Sequence, residues 1–244
     1  MSLDPRSEEE QFFATYRADD YERPSVAVDV VLITWLEDAL QAVVVKRVEH
    51  PYREHWVLPG GFVALDESLD EAARRVLSAK ARLGPLYLEQ LASFGDPARD
   101  PRMRIISVAY YALVDASQLA SKEGPWQLAQ IYTPWRGEVG GAVKLLIDGQ
   151  EIPVGFDHAQ VIGTAIKRLR GKLNYAPVAH ALLPAEFTLS QLQQVHEAIE
   201  GHSLNKDSFR RRLLASGSIE PTGNQEAGVI HRPAMLYRTR VASD

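Results

Sequence analysis

Hydrophobic residues in the first half of the chain alternate between strand-like and helix-like spacing. Four runs rich in β-branched or alternating apolar residues predict strands, at 25–34, 41–47, 87–94 and 103–114. WVLPGGF at 56–62 predicts a further short strand that ends in a glycine turn. Apolar side chains recur at helical spacing within 67–83, on a face made of Leu69, Ala72, Ala73, Val76, Leu77 and Ala81. Strands on both sides of a helix predict a mixed sheet flanked by helices.

Glycines and prolines divide the second half of the chain. A Gly-, Pro- and Trp-rich stretch at 121–155 could hold a short hairpin around LLIDGQEIP, because Asp-Gly favours tight turns. Residues 157–174 predict a long helix with Asp157 as its cap. Pro177 and Pro184 then mark a boundary, after which the pattern changes.

Two short helices and a hairpin are predicted beyond that boundary. The helices span 187–201, from a cap at Thr188 or Ser190 to Gly201, and 203–217, from Ser203 or Asn205 to Gly217. SIEPTG and AMLYRTRV predict two strands joined by a polar turn. This order within about 60 residues is typical of a winged helix-turn-helix, although many winged helices do not bind DNA.

Composition narrows the class of protein. The 244 residues are 45% hydrophobic and 24% charged, as in ordinary soluble globular proteins. The net charge of −5 gives no overall sign of nucleic-acid binding, but a sum can hide a local basic face. The absence of cysteine excludes disulfides and thiolate metal sites. The acidic N-terminus is not a secretory signal and no 18-residue apolar run is present, so we expect a cytoplasmic protein without a membrane partner.

One stretch carries a recognisable chemical motif. Five residues separate Gly61 from Glu67 and seven separate Glu67 from Arg75, a spacing that resembles the opening of the Nudix signature. In that family, three carboxylates on one helix face then hold Mg²⁺ against a diphosphate. Here their positions are occupied by Val76, Ala79 and Lys80. Valine and alanine offer no oxygen ligand, and a lysine repels a divalent ion.

The motif therefore predicts a Nudix domain without its metal chemistry. We expect no catalytic residue, no metal ligand and no cofactor, with Mg²⁺ required only if the chain is a hydrolase after all. Lys80 could stand in for a metal against a phosphate. It could equally favour the C-terminal end of its helix by interaction with the helix dipole.

The resemblance extends over residues 20–240. The segments 87–113 and 156–177, followed by FTLSQLQQVHEAI, SFRRRLL, PTG and RPAMLYR, resemble the Nudix-related transcriptional regulators of NAD metabolism, the NrtR family. This resemblance implies an α+β fold: a Nudix α/β/α sandwich with a mixed sheet, followed by a C-terminal winged helix-turn-helix. It also implies a ligand-responsive repressor of NAD-metabolism genes that senses ADP-ribose or a related nucleotide or sugar and binds operator DNA.

Two other functions stay open at this point. One is a Nudix hydrolase of ADP-ribose or NADH with an appended winged helix. The other is a non-catalytic module whose winged helix contacts protein. The predicted domains are an N-terminal arm (1–22), the Nudix-like sensor (23–156), a connecting helix and linker (157–182) and the winged helix (183–244).

Candidate ligand contacts lie around the motif and in two arginine-containing segments. They are Arg47, Gly61, Glu67, Arg75, Lys80, Arg102, Arg104 and His158. Arginine forks suit diphosphates, and the loop DPARDPRMR also contains Arg99. The same arginines could instead pair with Asp96 or Asp100, and His158 could be a cap or a core residue. Trp35, Phe62 and Tyr110 could stack on adenine or belong to the core.

Candidate DNA contacts lie in NKDSFRRR and in the wing. They are Asn205, Lys206, Ser208, Arg210, Arg211, Arg212, His231 and Arg232. Three adjacent arginines cannot all point in one direction on a helix, so one or two of them should anchor phosphate. Because a palindromic operator favours two-fold pairing, we also expect a homodimer. Its arm would be 8–21, with Phe12, Phe13 and Tyr16 as anchors, unless this terminus is frayed.

Overall fold

A large mixed sheet with helices on both faces is followed by a small two-stranded sheet. The computed structural model describes residues 5–81, 88–120, 124–173, 175–228 and 232–240. The strands are β1 (Ser25–Leu36), β2 (Ala39–Lys46), β3 (Trp56–Val57), β4 (Gly60–Phe62), β5 (Glu89–Phe94), β6 (Ile105–Leu113), β7 (Trp126–Tyr132), β8 (Lys144–Ile147), β9 (Gln150–Glu151), β10 (Ile219–Gln225) and β11 (Met235–Thr239). The α-helices are α1 (Pro5–Thr15), α2 (Leu69–Ala81), α3 (Ser117–Ala120), α4 (His158–Lys172), α5 (Leu189–Glu200) and α6 (Lys206–Ser216), with 3-10 helices at Ala18–Asp20 and Val178–Leu182.

Strand β1 lies at the centre of the large sheet, whose order is β5-β6-β1-β2-β7-β8-β9, with β3 added to β2 and β4 to β1. β1 runs parallel to β6 and antiparallel to β2 and β4, so the predicted mixed sheet is confirmed. Glu37 and Asp38 both have positive φ at the β1–β2 turn, as tight hairpin turns require.

Alternate residues of β1 separate the two apolar faces of the sheet. Val28, Val30 and Leu32 pack against α2, on the side that includes Ala72, Ala73, Val76 and Leu77. Val31 and Ile33 point to the opposite side, where they join the apolar residues of α4. The two faces and their helices form the predicted α/β/α sandwich.

The C-terminal elements form the predicted winged helix-turn-helix. Thr188 caps α5 through a reciprocal capping box with Gln191, and Gly201 ends that helix in the left-handed conformation. Asn205 caps α6, and Gly217 ends it. The wing strands β10 and β11 pair antiparallel.

The sheet and the winged helix share one apolar core. The cluster that contains Val31 and Ala42 of the sheet continues through Val161 of α4 to Ile199 and Phe209 of the winged helix. Because the apolar cluster is continuous between the two units, a change of packing in one unit affects the packing of the other. The domain limits proposed from the sequence stay predictions.

The hairpin predicted around LLIDGQEIP is confirmed, because β8 and β9 pair antiparallel on either side of Asp148 and Gly149. The same stretch also contains β7, whose apolar signal is weak, since Ala129 is its only fully buried residue among the described positions. One detail of the sequence analysis is corrected by the structure. Asp157 precedes α4 but makes no capping hydrogen bond with its side chain. Its carboxylate instead accepts two hydrogen bonds from Arg99.

Arg170, in the last turns of α4, ties the sheet to the winged helix. Its guanidinium donates to the carbonyl oxygens of Ile199 at 2.6 Å and Gly137 at 3.0 Å and to the hydroxyl of Thr133 at 3.0 Å. It lies 4.6 Å from the centre of the Trp135 ring and is 6% exposed. A single buried cation therefore joins α4, the 133–137 loop and the C-terminus of α5.

Arg170→Met should lower the free energy of unfolding by about 3 kcal/mol, because methionine keeps the aliphatic volume but leaves buried acceptors without donors. Chemical denaturation measures the loss. Lys167→Met, an exposed change on the same helix, should stay within about 0.5 kcal/mol of the parent protein. Equal stability of the two variants would show that the Arg170 contacts do not hold the units together.

Candidate ligand-binding site and DNA-facing surface

A cavity of about 200 Å³ opens where β1, β4 and the start of α4 meet. Its charged and aromatic lining residues are Asp29, Arg47, Phe62, Lys80, Arg99, Asp100, Arg102, Phe156 and His158. Four of these are cations. The cavity therefore favours an anionic ligand.

Asp29, a buried carboxylate in the middle of β1, organises the floor of the cavity. It accepts a hydrogen bond from the hydroxyl of Ser107 at 2.5 Å and a longer one from Arg99 at 3.4 Å. The Nε2 atom of His158 lies 3.5 Å from its other oxygen. Asp29 thus connects β1, β6, the 99–102 loop and α4.

His158 is a neutral, oriented ring. Its Nδ1 accepts a hydrogen bond from the backbone N–H of Leu58 at 2.9 Å, so its proton lies on Nε2, facing Asp29. Burial lowers the pKa of His158, which keeps the ring uncharged near neutral pH.

The side chain of Arg99 is held in place by an ion pair within the protein. It donates two hydrogen bonds to Asp157, at 2.9 and 2.7 Å, and is almost fully buried. Arg102 forms a similar fork with Asp100, at 3.0 and 2.8 Å. Both guanidinium groups are therefore preorganised, with their charge largely neutralised by carboxylates.

Phe156 supplies an aromatic wall at the cost of backbone strain. Its φ of 57° lies in the left-handed region, which a bulky side chain rarely adopts. Its ring lies 5.1 Å from the guanidinium carbon of Arg47 and 5.9 Å from that of Arg102. Strain of this kind concentrates at functional sites.

The Nudix motif keeps its turn but not a metal site. Arg75 forms a fork with Glu67 and also donates to the carbonyl of Phe62 at 3.0 Å, so this pair braces the loop before α2. The hydrogen bonds from Arg75 and from the Ala64 N–H lower the pKa of Glu67 to about 2. Val76 is 2% exposed and belongs to the core beneath Gly61. The side chains at positions 76, 79 and 80 offer no carboxylate oxygen, so this donor set does not fit Mg²⁺. Among the described residues, no group of three or more acidic or histidine side chains is placed to hold a metal ion.

The exposed face of α6 is basic. Lys206, Ser208, Arg210 and Arg211 are exposed, and neither arginine has an ion-pair partner in the part of the chain that the structure describes. Asn205 is also exposed, but its side-chain oxygen caps α6 by accepting the Ser208 N–H at 3.0 Å.

Arg212 lies elsewhere. It lines a second cavity, between the linker and α5, with Tyr175 and His196, and its guanidinium lies 5.9 Å from the centre of the Phe209 ring. Arg212 is nevertheless exposed, and its predicted contact with DNA stays a prediction. In the wing, Arg232 is exposed, and the predicted contact His231 lies outside the described residues.

Two family models match the chain. Residues 23–133 match the Nudix domain, and residues 179–239 match the NrtR DNA-binding winged helix domain. The ADPR responsive transcriptional repressor NtrR of Acinetobacter baylyi is 35% identical over 239 residues, which cover 95% of this chain and 88% of the relative. The chain belongs to the NrtR family.

Two solved structures of a family member resemble this chain. Shewanella oneidensis NrtR in complex with a 27mer DNA is 34% identical, with a TM-score of 0.71 over 88% of this chain and 93% of that one. The Nudix domain of the same protein in complex with ADP ribose is 31% identical, with a TM-score of 0.50 over 66% of this chain and 98% of that one.

In this NrtR-family chain, five of the eight predicted ligand contacts line the cavity: Arg47, Gly61, Lys80, Arg102 and His158. Glu67, Arg75 and Arg104 do not. The first two brace the motif loop, and Arg104 donates to the carbonyl of Gly95 at 2.7 Å. Of the predicted stacking residues, Phe62 lines the cavity, whereas Trp35 packs against the core and the buried Tyr110 donates to Asp70.

Sequence reasoning missed Asp29 and Phe156 as site residues. Asp29 did carry a signal, because it is the one acid in the apolar run SVAVDVVLIT. The strain at Phe156 has no sequence signature, since only the folded backbone shows its φ.

Gly60→Ala should lower the free energy of unfolding by about 1–3 kcal/mol. An added Cβ would clash with the Asp29 carboxylate and come within 3.0 Å of the Val28 carbonyl oxygen. Gly61→Ala is the matched control, since the nearest atom to its Cβ would be a methyl group of Val76 at 3.3 Å. Thermal or chemical unfolding compares the two variants. A larger loss for Gly61→Ala would argue against the tight Asp29 floor.

Proposed function

We propose that this protein is an ADP-ribose-responsive transcriptional repressor of NAD-metabolism genes. The observation that carries the proposal is the combination of two sites on one continuous core: a cation-lined cavity and a winged helix with an exposed basic face. The repressor named in Acinetobacter baylyi and the Shewanella oneidensis complexes with DNA and with ADP ribose support it.

The cavity suits the two chemical parts of ADP-ribose. Its arginines and lysine match the negative diphosphate, and its aromatic wall, Phe62 and Phe156, suits a base or a ribose. Asp29, with the neighbouring His158, provides polar groups that orient hydroxyls. Hydrolysis of the ligand is not part of the proposal, because the motif lacks the carboxylates that would hold the metal.

The DNA-facing residues are Lys206, Ser208, Arg210 and Arg211 of α6, with Arg232 in the wing. An α6 whose exposed side carries two arginines can enter a major groove and reach both base edges and phosphates. Asn205 serves mainly as the cap of this helix. We place the protein in the cytoplasm because the proposed function requires contact with operator DNA. Separately, no helix in the described ranges is long and apolar enough to cross a membrane.

The protein acts as a homodimer in this proposal. Phe12 and Phe13 on α1 are 55% and 66% exposed, and their rings contact each other and Tyr16 rather than a core. Such an exposed aromatic patch on a terminal helix suits pairing with a second copy. Two winged helices related by a two-fold axis would read the halves of a palindrome.

The proposal is tested by selecting an operator from a random duplex pool with the full-length chain and following it by fluorescence anisotropy. ADP-ribose should release the duplex, and a tenfold loss of affinity corresponds to about 1.4 kcal/mol of coupling. AMP serves as the control ligand without a diphosphate. Light scattering should find two chains on each duplex. Failure to enrich any duplex, or binding that saturating ADP-ribose leaves unchanged, would refute the proposed function, and one chain on each duplex would refute the dimer.

Arg210→Ala and Arg211→Ala should each weaken operator binding. A contact to a guanine edge costs about 1–3 kcal/mol and relaxes specificity at one base pair. A contact to phosphate weakens all duplexes alike and lowers the salt slope by about one. Arg74→Ala, which removes an exposed arginine of α2, should change neither quantity. Unchanged affinity in both α6 variants would place the DNA-facing surface elsewhere.

A further inference from the structure

The cations of the ligand cavity fall into two classes. Arg99 and Arg102 are each paired with carboxylates. Arg47 and Lys80 have no carboxylate within ion-pair distance among the described residues. The cavity therefore contains two cations without a directly paired carboxylate, although Asp29 acts on Lys80 at longer range.

Arg47 is held in place without losing its charge. Its Nε donates to the carbonyl oxygen of Pro51 at 2.8 Å, and its guanidinium lies over the Phe156 ring. These contacts fix the direction of the group but supply no opposite charge. A terminal N–H also donates to the carbonyl oxygen of His50 at 3.5 Å, which leaves three of the five N–H groups for an anion.

Lys80 reaches the same cavity from the last turn of α2. Desolvation by the surrounding wall lowers the pKa of its ammonium; Asp29 opposes this shift, and the charge of Arg47 adds to it. The electrostatic repulsion between Arg47 and Lys80 is unfavourable for the protein by itself. An anion that binds both would remove that repulsion.

Lys80 also occupies a position where the Nudix motif would have its last metal-binding carboxylate, while Val76 is buried in the core and Ala79 has no polar atom. A metal ion placed here would meet an ammonium instead of an oxygen ligand. The donor set thus disagrees with Mg²⁺ and agrees with a ligand that carries its own negative charge.

We propose that Arg47 and Lys80 form a metal-independent receptor for the diphosphate of the ligand, in which the Lys80 ammonium takes the place of a divalent cation. This inference rests on the proposed function, because it assumes that a diphosphate ligand enters the cavity. Arg47 is the fixed contact, and Lys80, on a flexible stem, closes on the second phosphate.

Calorimetry of the full-length chain tests this receptor with ADP-ribose and with AMP, each in EDTA and in excess Mg²⁺. ADP-ribose should bind in EDTA, and Mg²⁺ should leave its affinity unchanged or lower it by complexing the free diphosphate. Lys80→Gln should reduce ADP-ribose affinity about tenfold or more, which is typical for loss of one charged contact. It should change AMP affinity less and leave the unfolding temperature unaltered. Lys167→Gln, the loss of an exposed lysine on α4, should have no effect on either ligand.

Each contrary outcome has a distinct meaning. Binding of ADP-ribose that requires Mg²⁺, or Lys80→Gln with parental affinity in EDTA, would overturn the receptor and leave the proposed function standing. No binding of ADP-ribose in either buffer would overturn the proposed function itself. Lys80→Glu should abolish binding in EDTA, and retention of binding by this variant would also contradict the receptor.

Discussion

The guanidinium of Arg170 links three parts of the chain, because it projects from α4 and contacts both the loop at 133–137 and the last turn of α5. A buried cation is costly unless its hydrogen bonds are made, so this geometry is tolerated only while all three parts stay in place. The carbonyl of Ile199 belongs to the C-terminal end of α5, where unpaired carbonyls and the helix dipole both favour a positive charge. The position of the winged helix against the sheet therefore depends on α4.

The other end of the same helix lies at the ligand cavity. His158 is the first residue of α4, and Asp157, just before it, holds Arg99. A second anchor, the ion pair between Lys172 and Glu89 at 2.5 Å, fixes the C-terminal end of α4 to β5. A ligand that binds Arg99 or moves His158 therefore acts on the N-terminal end of α4. The C-terminal end of the same helix positions α5 through Arg170. Regulation follows only if the ligand binds two arrangements of this helix unequally.

The strongly patterned parts of the fold were predictable from sequence because one physical signal dominates each of them. The β-branched runs around 25–47 predict the central strands, and Thr188 with Gly201 defines α5. The prediction that the motif lacks metal chemistry needs only the residue types at positions 76, 79 and 80. Each of these inferences depends only on residues that are close together in the sequence, so no knowledge of the folded structure is needed.

Other features depend on contacts between distant segments and had weak local signals. Asp157 would cap a helix in isolation, but the long-range fork from Arg99 takes its carboxylate. Arg212 has the same side chain as Arg210 and Arg211, and only the packing of Phe209 and Leu213 into the core decides which of the three turns to the linker. Glu67 and Arg75 match the motif spacing, yet they bind each other rather than line the cavity.

The central claim is that the cavity and the winged helix are energetically coupled through α4. The most direct measurement is the affinity for ADP-ribose, by calorimetry, of the free protein and of the protein saturated with its operator. Linkage requires the operator to weaken ADP-ribose binding by the same factor by which ADP-ribose weakens operator binding. That equality is the predicted result. Equal ADP-ribose affinities with and without operator, while operator binding stays intact, would contradict the account.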